Sequence, residues 1–320
     1  MTPEFDLIQR YFSRPAKNAL LGVGDDCALY ATAQGMVQAI STDMLVEGRH
    51  FIIGADAEKL GRKSLAVNLS DLAAMGAEPR FVTLALALPD ANENWLEAFA
   101  RGFFAQADKH GIELIGGDTT RGPLTISITV IGEVPLGMAL RRDAAQVGDE
   151  VWLSGATGEA ALALAHQERR TRIAQGEVAR CFARLDDPQP RVELGSRLRG
   201  IAHAAIDISD GLIADLGHIA ERSGVDIHIA ADHLPVSAAL AACDDVALRR
   251  LCIAAGGDDY ELAFTAPQAA HQIIEKLSKE LGVALTMIGN VLPGAGMASL
   301  RDAAGKPIAL ARTGFDHFGA

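Results

Sequence analysis

The chain has 320 residues, 49% of them hydrophobic and 22% charged, which fits a globular protein with two packed cores. Its 29 basic and 41 acidic residues give a net charge of −12. That balance excludes a long nucleic-acid backbone or an anionic membrane surface as partner, since both need basic patches. Residues 37–42 (VQAIST) read as a strand that delivers Asp43 at its end. Residues 57–75 predict a helix, with Leu60, Ser64, Val67, Asp71 and Met75 recurring on one face. Gly76 closes that helix and Pro79 lies just beyond. Asp71 therefore points along an apolar stripe, where a carboxylate requires a hydrogen-bond donor or a cation. Phe81 to Leu88 reads as a buried strand. A helix follows through about His110, with Trp95, Phe99 and Phe103 on one face and Gly111 at its end. Glu113 to Ile115 predicts a short strand running into Gly116-Gly117-Asp118, and Thr125 to Val134 alternates as a half-exposed strand does.

Pro135, Gly137 and Gly148 then punctuate the pattern, which places two domains at 1–138 and 139–320. Val151 to Ser154 begins a new strand, Gly155 to Gln167 an Ala-rich helix, and 168–190 a charged surface excursion. His203 to Ile208 is a strand. Ser209-Asp210-Gly211 leads from it into a helix through Ser223, and such a junction aims backbone N–H groups at a phosphate. Leu251 to Ala255 precedes Gly256-Gly257-Asp258-Asp259. A strand at 261–265, a helix at 268–281 and closing strands at 287–291 and 307–311 complete the chain. Gly-Gly-Asp occurs at 116–118 and again at 256–258, a three-residue echo compatible with two similar α/β halves. The four cysteines lack metal-site spacing and read as reduced thiols of a cytoplasmic protein. Residues 1–14 carry no signal-peptide core, and the longest strongly apolar run is too short to span a bilayer.

Carboxylates beside glycine recur along the chain, at Asp25-Asp26, Asp118, Asp210 and Asp258-Asp259, with Asp43 beside Ser41 and Thr42. Each cluster alone is an ordinary turn. Several on one surface would repel one another unless cations sat between them. Oxygen-only donors of this kind suit Mg2+ or Mn2+, and bound Mg2+ usually accompanies substrate phosphates. There is no Walker A loop, dinucleotide fingerprint, H-E-x-x-H, G-x-S-x-G or kinase H-R-D set. Arg142 and Arg121 are either phosphate contacts or plain surface arginines. His50 lies seven residues after Asp43 in an irregular segment, where a structural role competes with substrate contact.

The runs G-V-G-D-D-C-A, I-S-T-D, V-N-L-S-D-L-A-A-M-G-A-E-P, L-I-G-G-D-T-T-R-G, I-D-I-S-D-G-L-I-A-D-L-G-H-I and G-G-D-D-Y-E-L, with a terminal G-F-D-H-F, strongly resemble the thiamine-monophosphate kinase family. The resemblance spans Asp26 to Phe318 in the same order. It implies ATP-dependent phosphorylation of thiamine monophosphate to thiamine diphosphate. It also implies two α/β domains of the aminoimidazole ribonucleotide synthetase-like type, with mixed sheets covered by helices, and a homodimer paired through its N-terminal domains. By that resemblance Asp26, Ser41, Thr42, Asp43, Asp71, Asp118, Asp207 and Asp210 look like Mg2+ ligands. Gly117, Asp118, Arg142 and Ser209 look like ATP contacts, and His50, Asp258 and Phe318 like substrate contacts. The family pattern has Glu where this chain has Asp258, which shortens the reach by one methylene.

The acceptor, a phosphate monoester with a second pKa of about 6, is mostly a dianion near neutral pH and needs no general base. No catalytic side-chain base is therefore expected. Two other readings remain: a synthetase of the same superfamily acting on a purine precursor, and a nucleotide- or Mg2+-binding regulator without turnover.

Overall fold

Two mixed sheets organise the chain, each belonging to its own unit. The structure, a computed structural model, describes residues 6–23 and 27–315. One unit comprises Met1–Leu72 and Ala77–Ala139; the other comprises Ala73–Gly76 and Leu140–Ala320. Among the described residues, no helix is long and apolar enough to cross a membrane.

In the first unit, β1 (Met36–Val46) is followed by α1 (Ala57–Ala74), β2 (Glu78–Leu88), α2 (Glu93–His110), β3 (Glu113–Arg121) and β4 (Thr125–Pro135). The sheet order is β1-β4-β2-β3. β2 and β3 run parallel, with α2 as the crossover between them, and the other pairs are antiparallel. β1 does not stop before Asp43. It pairs with β4 from Met36 to Val46, so Asp43 sits inside a ladder opposite Ile128. β3 likewise continues through Gly116-Gly117-Asp118, with Asp118 opposite Ala85. Both carboxylates were expected on turns. Partner strands long enough to pair with them extend the ladder past the point where the local sequence signals a stop.

The helix predicted over 57–75 is present as α1, with Leu60, Ser64 and Val67 buried and Asp71 half-buried at its far end. Trp95, Phe99 and Phe103 form a continuous ring stack along α2, with neighbouring centroids 5.0 and 6.3 Å apart. Two glycines let α1 and α2 touch backbone to backbone. A Cβ on Gly102 would lie 1.9 Å from the Glu58 carbonyl, and one on Gly61 would lie 2.2 Å from the Phe99 carbonyl. The opposite sheet face exposes Ile40 (61%) and Met44 (56%). Thr42 lies between them, its hydroxyl 2.8 Å from that of Thr129.

The second unit runs β5 (Glu150–Ser154), α3 (Glu159–Gln167), α4 (Gln175–Asp186), α5 (Val192–Leu198), β6 (Ala204–Asp207), α6 (Leu212–Ser223), β7 (Val225–Ala230), α7 (Ala238–Ala241), α8 (Val246–Ala255), β8 (Leu262–Ala266), α9 (His271–Leu281), β9 (Leu285–Pro293) and β10 (Ala298–Arg301). Its sheet order is β10-β7-β9-β5-β8-β6. Only the β10–β7 pair is parallel.

Three expectations change here. The excursion expected at 168–190 contains α4, whose Cys181 is fully buried and whose Val178, Phe182 and Leu185 pack against the core. Those four fall at i, i+3, i+4 and i+7. The closing strand is Ala298–Arg301, and Pro307 contributes only an isolated bridge to Arg301. The Gly-Gly-Asp echo has no structural counterpart, since 116–118 lies in β3 and 256–258 in the connection between α8 and β8.

Adding a methyl group at Gly102 forces α1 and α2 apart. Gly102→Ala is expected to lower stability by about 1–3 kcal/mol despite the better helix propensity of alanine. Thermal or urea unfolding of the variant checks this, and an unchanged midpoint removes the close-approach argument.

Candidate active site

In the first unit, alternation along β1 puts Ser41 and Asp43 on the face that receives α1, and Thr42 on the other. The Ser41 hydroxyl donates to Asp71 Oδ2. The Asp43 amide donates to Asn68 Oδ1 at 3.1 Å, and Asn68 Nδ2 in turn donates to the Ser64 carbonyl at 3.0 Å. Asn68 is wholly buried, so it fixes where α1 lies along β1 and where Asp71 meets Ser41. Ser41, Asp43 and Asp71 are thus brought together. Asp118 is exposed on β3, separated from β1 by β4 and β2, and its register places it on the face that carries Thr42 and Met44. Gly117 has φ 153°, and a Cβ there would strike the Leu84 carbonyl at 1.9 Å. Its glycine is explained by the passage of β3 against β2. A cavity of about 40 Å³ adjoins Gly116 to Thr119, walled by Ile8, Phe12, Leu84 and Leu86.

His50 Nδ1 accepts the Val46 amide at 3.0 Å, which leaves the proton of the neutral ring on Nε2. Arg142 is exposed, and its carbonyl accepts the Ser223 hydroxyl at 2.9 Å. Asp26 and Phe318 lie outside the described residues.

In the second unit the turn after β6 is laced to the segment before β8. The Asp258 amide donates to the Ser209 carbonyl (2.9 Å), the Tyr260 amide to the Ile208 carbonyl (2.8 Å), and the Ile208 amide to the Glu261 carbonyl (2.8 Å). Glycines permit the contact: a Cβ on Gly257 would stand 2.4 Å from the Ser209 carbonyl, and one on Gly211 would stand 2.8 Å from Ala255. Asp207, at the end of β6, and Asp210, within the turn, share this frame with Ser209 and Asp258. Asp258 and Tyr260 both adopt left-handed backbone, with φ 67° and 51°, and the Tyr260 hydroxyl donates to Asp258 Oδ1 at 3.0 Å.

The expected phosphate cradle at the start of α6 is already filled. The amides of Ser209, Asp210 and Gly211 all donate to Asp215 Oδ2, at 3.1, 3.2 and 3.0 Å. The chain's own carboxylate takes the place an incoming anion would occupy. Burial, helped by Asp207 and Asp210 nearby, pushes the Asp215 carboxyl up to about 7.

Glu261 carried no signal of its own in the sequence, and Asp259, expected only as part of a turn, has an interior partner. Glu261 is buried and receives Arg191 through Nε at 2.6 Å, with Arg184 at 3.3 Å and the Ser154 hydroxyl at 2.5 Å. Asp259 accepts the Gly158 amide at the start of α3 through both oxygens, at 2.9 and 3.0 Å. Burial holds the Asp259 carboxyl well above the usual range, with Glu261 and Asp258 adding to the effect.

Among the described residues, no three His, Cys, Asp or Glu side chains converge as a self-sufficient metal site. Mg2+ does not require one: it binds through one or two carboxylates and completes its shell with water and phosphate oxygens. Ser41, Asp43 and Asp71 offer hydroxyl and carboxylate oxygens only, and Asp207 and Asp210 carboxylates only. Both sets fit that cation chemically.

The family profile "AIR synthase related protein, N-terminal domain" matches residues 24–134, and its C-terminal counterpart matches 146–300. Thiamine-monophosphate kinase of Salmonella typhimurium is 44% identical over 321 residues, covering 98% of each chain. The chain belongs to the thiamine-monophosphate kinase family. Thiamine-monophosphate kinase from Stenotrophomonas maltophilia has a similar solved structure, with TM-score 0.85 at 48% identity over 91% of this chain and 92% of that one. The structure of AaThiL complexed with AMPPCP and TMP matches with TM-score 0.77 at 28% identity, over 90% of this chain and 89% of that one. The kinase family's two α/β domains with mixed sheets are those seen here.

The folded Asp259 carboxyl keeps its proton at pH values where the unfolded chain has released it. Its contribution is therefore full below the unfolded pKa, about 3.9, and is lost as pH rises through the higher folded value. Asp259→Asn has no such dependence, so its melting temperature is expected to gain on wild type as pH climbs from 4 to 8. A gap between the two that stays constant across that range refutes the shift.

Proposed function

We propose that this protein transfers the γ-phosphoryl group of ATP to the phosphate of thiamine monophosphate, giving thiamine diphosphate and ADP. Full-length kinship at 44% identity carries this reading, together with a relative that binds AMPPCP and TMP. The two sets of oxygen donors fit the chemistry. In the first unit, Ser41, Asp43 and Asp71 serve as Mg2+ ligands on one sheet face and Thr42 and Asp118 on the other, with Asp26 a further ligand, and Gly117 and Asp118 approach the nucleotide. In the second unit, Asp207 and Asp210 serve as ligands, the Arg142 guanidinium pairs with phosphate, and Ser209 acts through its hydroxyl because its amide is held by Asp215. His50, Asp258 and Phe318 contact thiamine monophosphate, His50 donating from Nε2.

When bound, Mg2+ neutralises the repulsion between two polyanionic substrates and the surrounding carboxylates. The residues orient: the Asn68–Asp43 and Ser41–Asp71 bonds hold the first set, and the lacing of 208–211 to 258–261 holds the second. The acceptor dianion attacks in line without a side-chain base. The free thiols suit the reducing cytoplasm.

We also infer a homodimer. Exposed Ile40 and Met44 on β1 leave apolar surface, on the face that also carries Thr42 and Asp118, that a second copy would cover.

Coupled ADP release tests the reaction. Turnover is expected only with thiamine monophosphate present, and Asp43→Asn is expected to need at least about tenfold more Mg2+ for half-maximal rate. ADP formed equally without thiamine monophosphate, or nucleotide binding with no turnover at all, defeats the proposal. Ile40→Glu should shift sedimentation from dimer toward monomer; a wild type that sediments as a monomer ends the dimer reading.

A further inference from the structure

The turn between β6 and α6 has an unusually complete set of backbone hydrogen bonds. The Ile208 amide and carbonyl are committed to Glu261 and Tyr260, and the Ser209 carbonyl to Asp258. The Asp210 carbonyl accepts the Phe315 amide at 2.9 Å, and the Gly211 carbonyl accepts the Asp215 amide at 2.9 Å. The remaining three amides, of Ser209, Asp210 and Gly211, all go to one oxygen of Asp215. No backbone amide from 208 to 211 is left for a ligand.

From this geometry we infer that Asp215 is a positioning residue, an internal acceptor whose one oxygen holds the turn in the shape that presents Asp207, Ser209 and Asp210. Three amides converging on a single point need an acceptor there, and without one they would be left unpaired in a part-buried turn. Asp215 itself is buried, so no water competes for the place. Gly211, at φ 137°, lets the chain pass Ala255 closely enough for the three amides to converge. The same arrangement shuts phosphate out of the start of α6. Anions at this turn must then be recognised through side chains and their cations. The inference rests on reading Asp207 and Asp210 as cation ligands.

Asp215→Ala leaves a small space beside three unpaired amides, of a size to admit formate. Hydrogen exchange of the metal-free protein, followed on peptides covering 207–215, should be about tenfold faster in this variant, the equivalent of roughly one lost net hydrogen bond. Mn2+ binding should weaken, and added formate should restore both properties. Wild-type exchange in the Ala variant, or faster exchange that formate does not slow, overturns the inference. Asp215→Asn keeps an oxygen acceptor in place and serves if the Ala chain fails to fold. Its exchange should stay close to that of wild type, and a tenfold rise would refute the acceptor role. Asp207→Asn and Asp210→Asn separate the underlying reading. If neither alters Mn2+ binding to the otherwise intact protein, those two are not ligands, while the exchange result still judges Asp215.

Discussion

Like-charge repulsion among carboxylates is the constraint that shapes the second unit. Asp207, Asp210, Asp215, Asp258, Asp259 and Glu261 fall within two short stretches that hydrogen-bond to each other. Three of the interior acids have different remedies. Glu261 takes a bidentate arginine, Asp215 takes three amides, and Asp259 takes the start of a helix, with burial holding its carboxyl well above the usual range. With these three settled inside the protein, Asp207 and Asp210 are the carboxylates that the proposed function assigns to cations. The stability of the frame and the chemistry of the site are therefore one electrostatic problem.

The first unit solves the same problem with neutral groups. Asn68 bridges β1 and α1, and Ser41 supplies the hydrogen bond that a carboxylate on an apolar stripe requires. Helix α1 is held from the other side by its glycine contact with α2. Asp71 is thus located by packing, and Ser41 needs only to meet it.

Where local signals were strong, the sequence was readable. The spacing of Leu60, Ser64, Val67 and Asp71 located α1 and the inward carboxylate, and Gly111 marked the end of α2, where it adopts the left-handed conformation. Signals that depend on distant partners were not readable. Asp43 and Asp118 look like turn residues until β4 and β2 are alongside. The pairing of Glu261 with Arg191 spans 70 positions. Asp215 resembles any acid in the first turn of a helix, and only the path of the preceding turn shows that it faces inward. The apolar face of α4 was present in Val178, Cys181, Phe182 and Leu185, but the surrounding charge obscured it.

The left-handed backbone at Asp258 bears on the position where the resemblance to the kinase family leads one to expect glutamate. At φ 67° aspartate is among the better tolerated residues, because its short side chain can bond locally, as it does here with the Tyr260 hydroxyl. Glutamate gains a methylene of reach but loses that local compensation. The shorter acid therefore exchanges span for conformational ease, and a ligand touching it must come closer to the main chain.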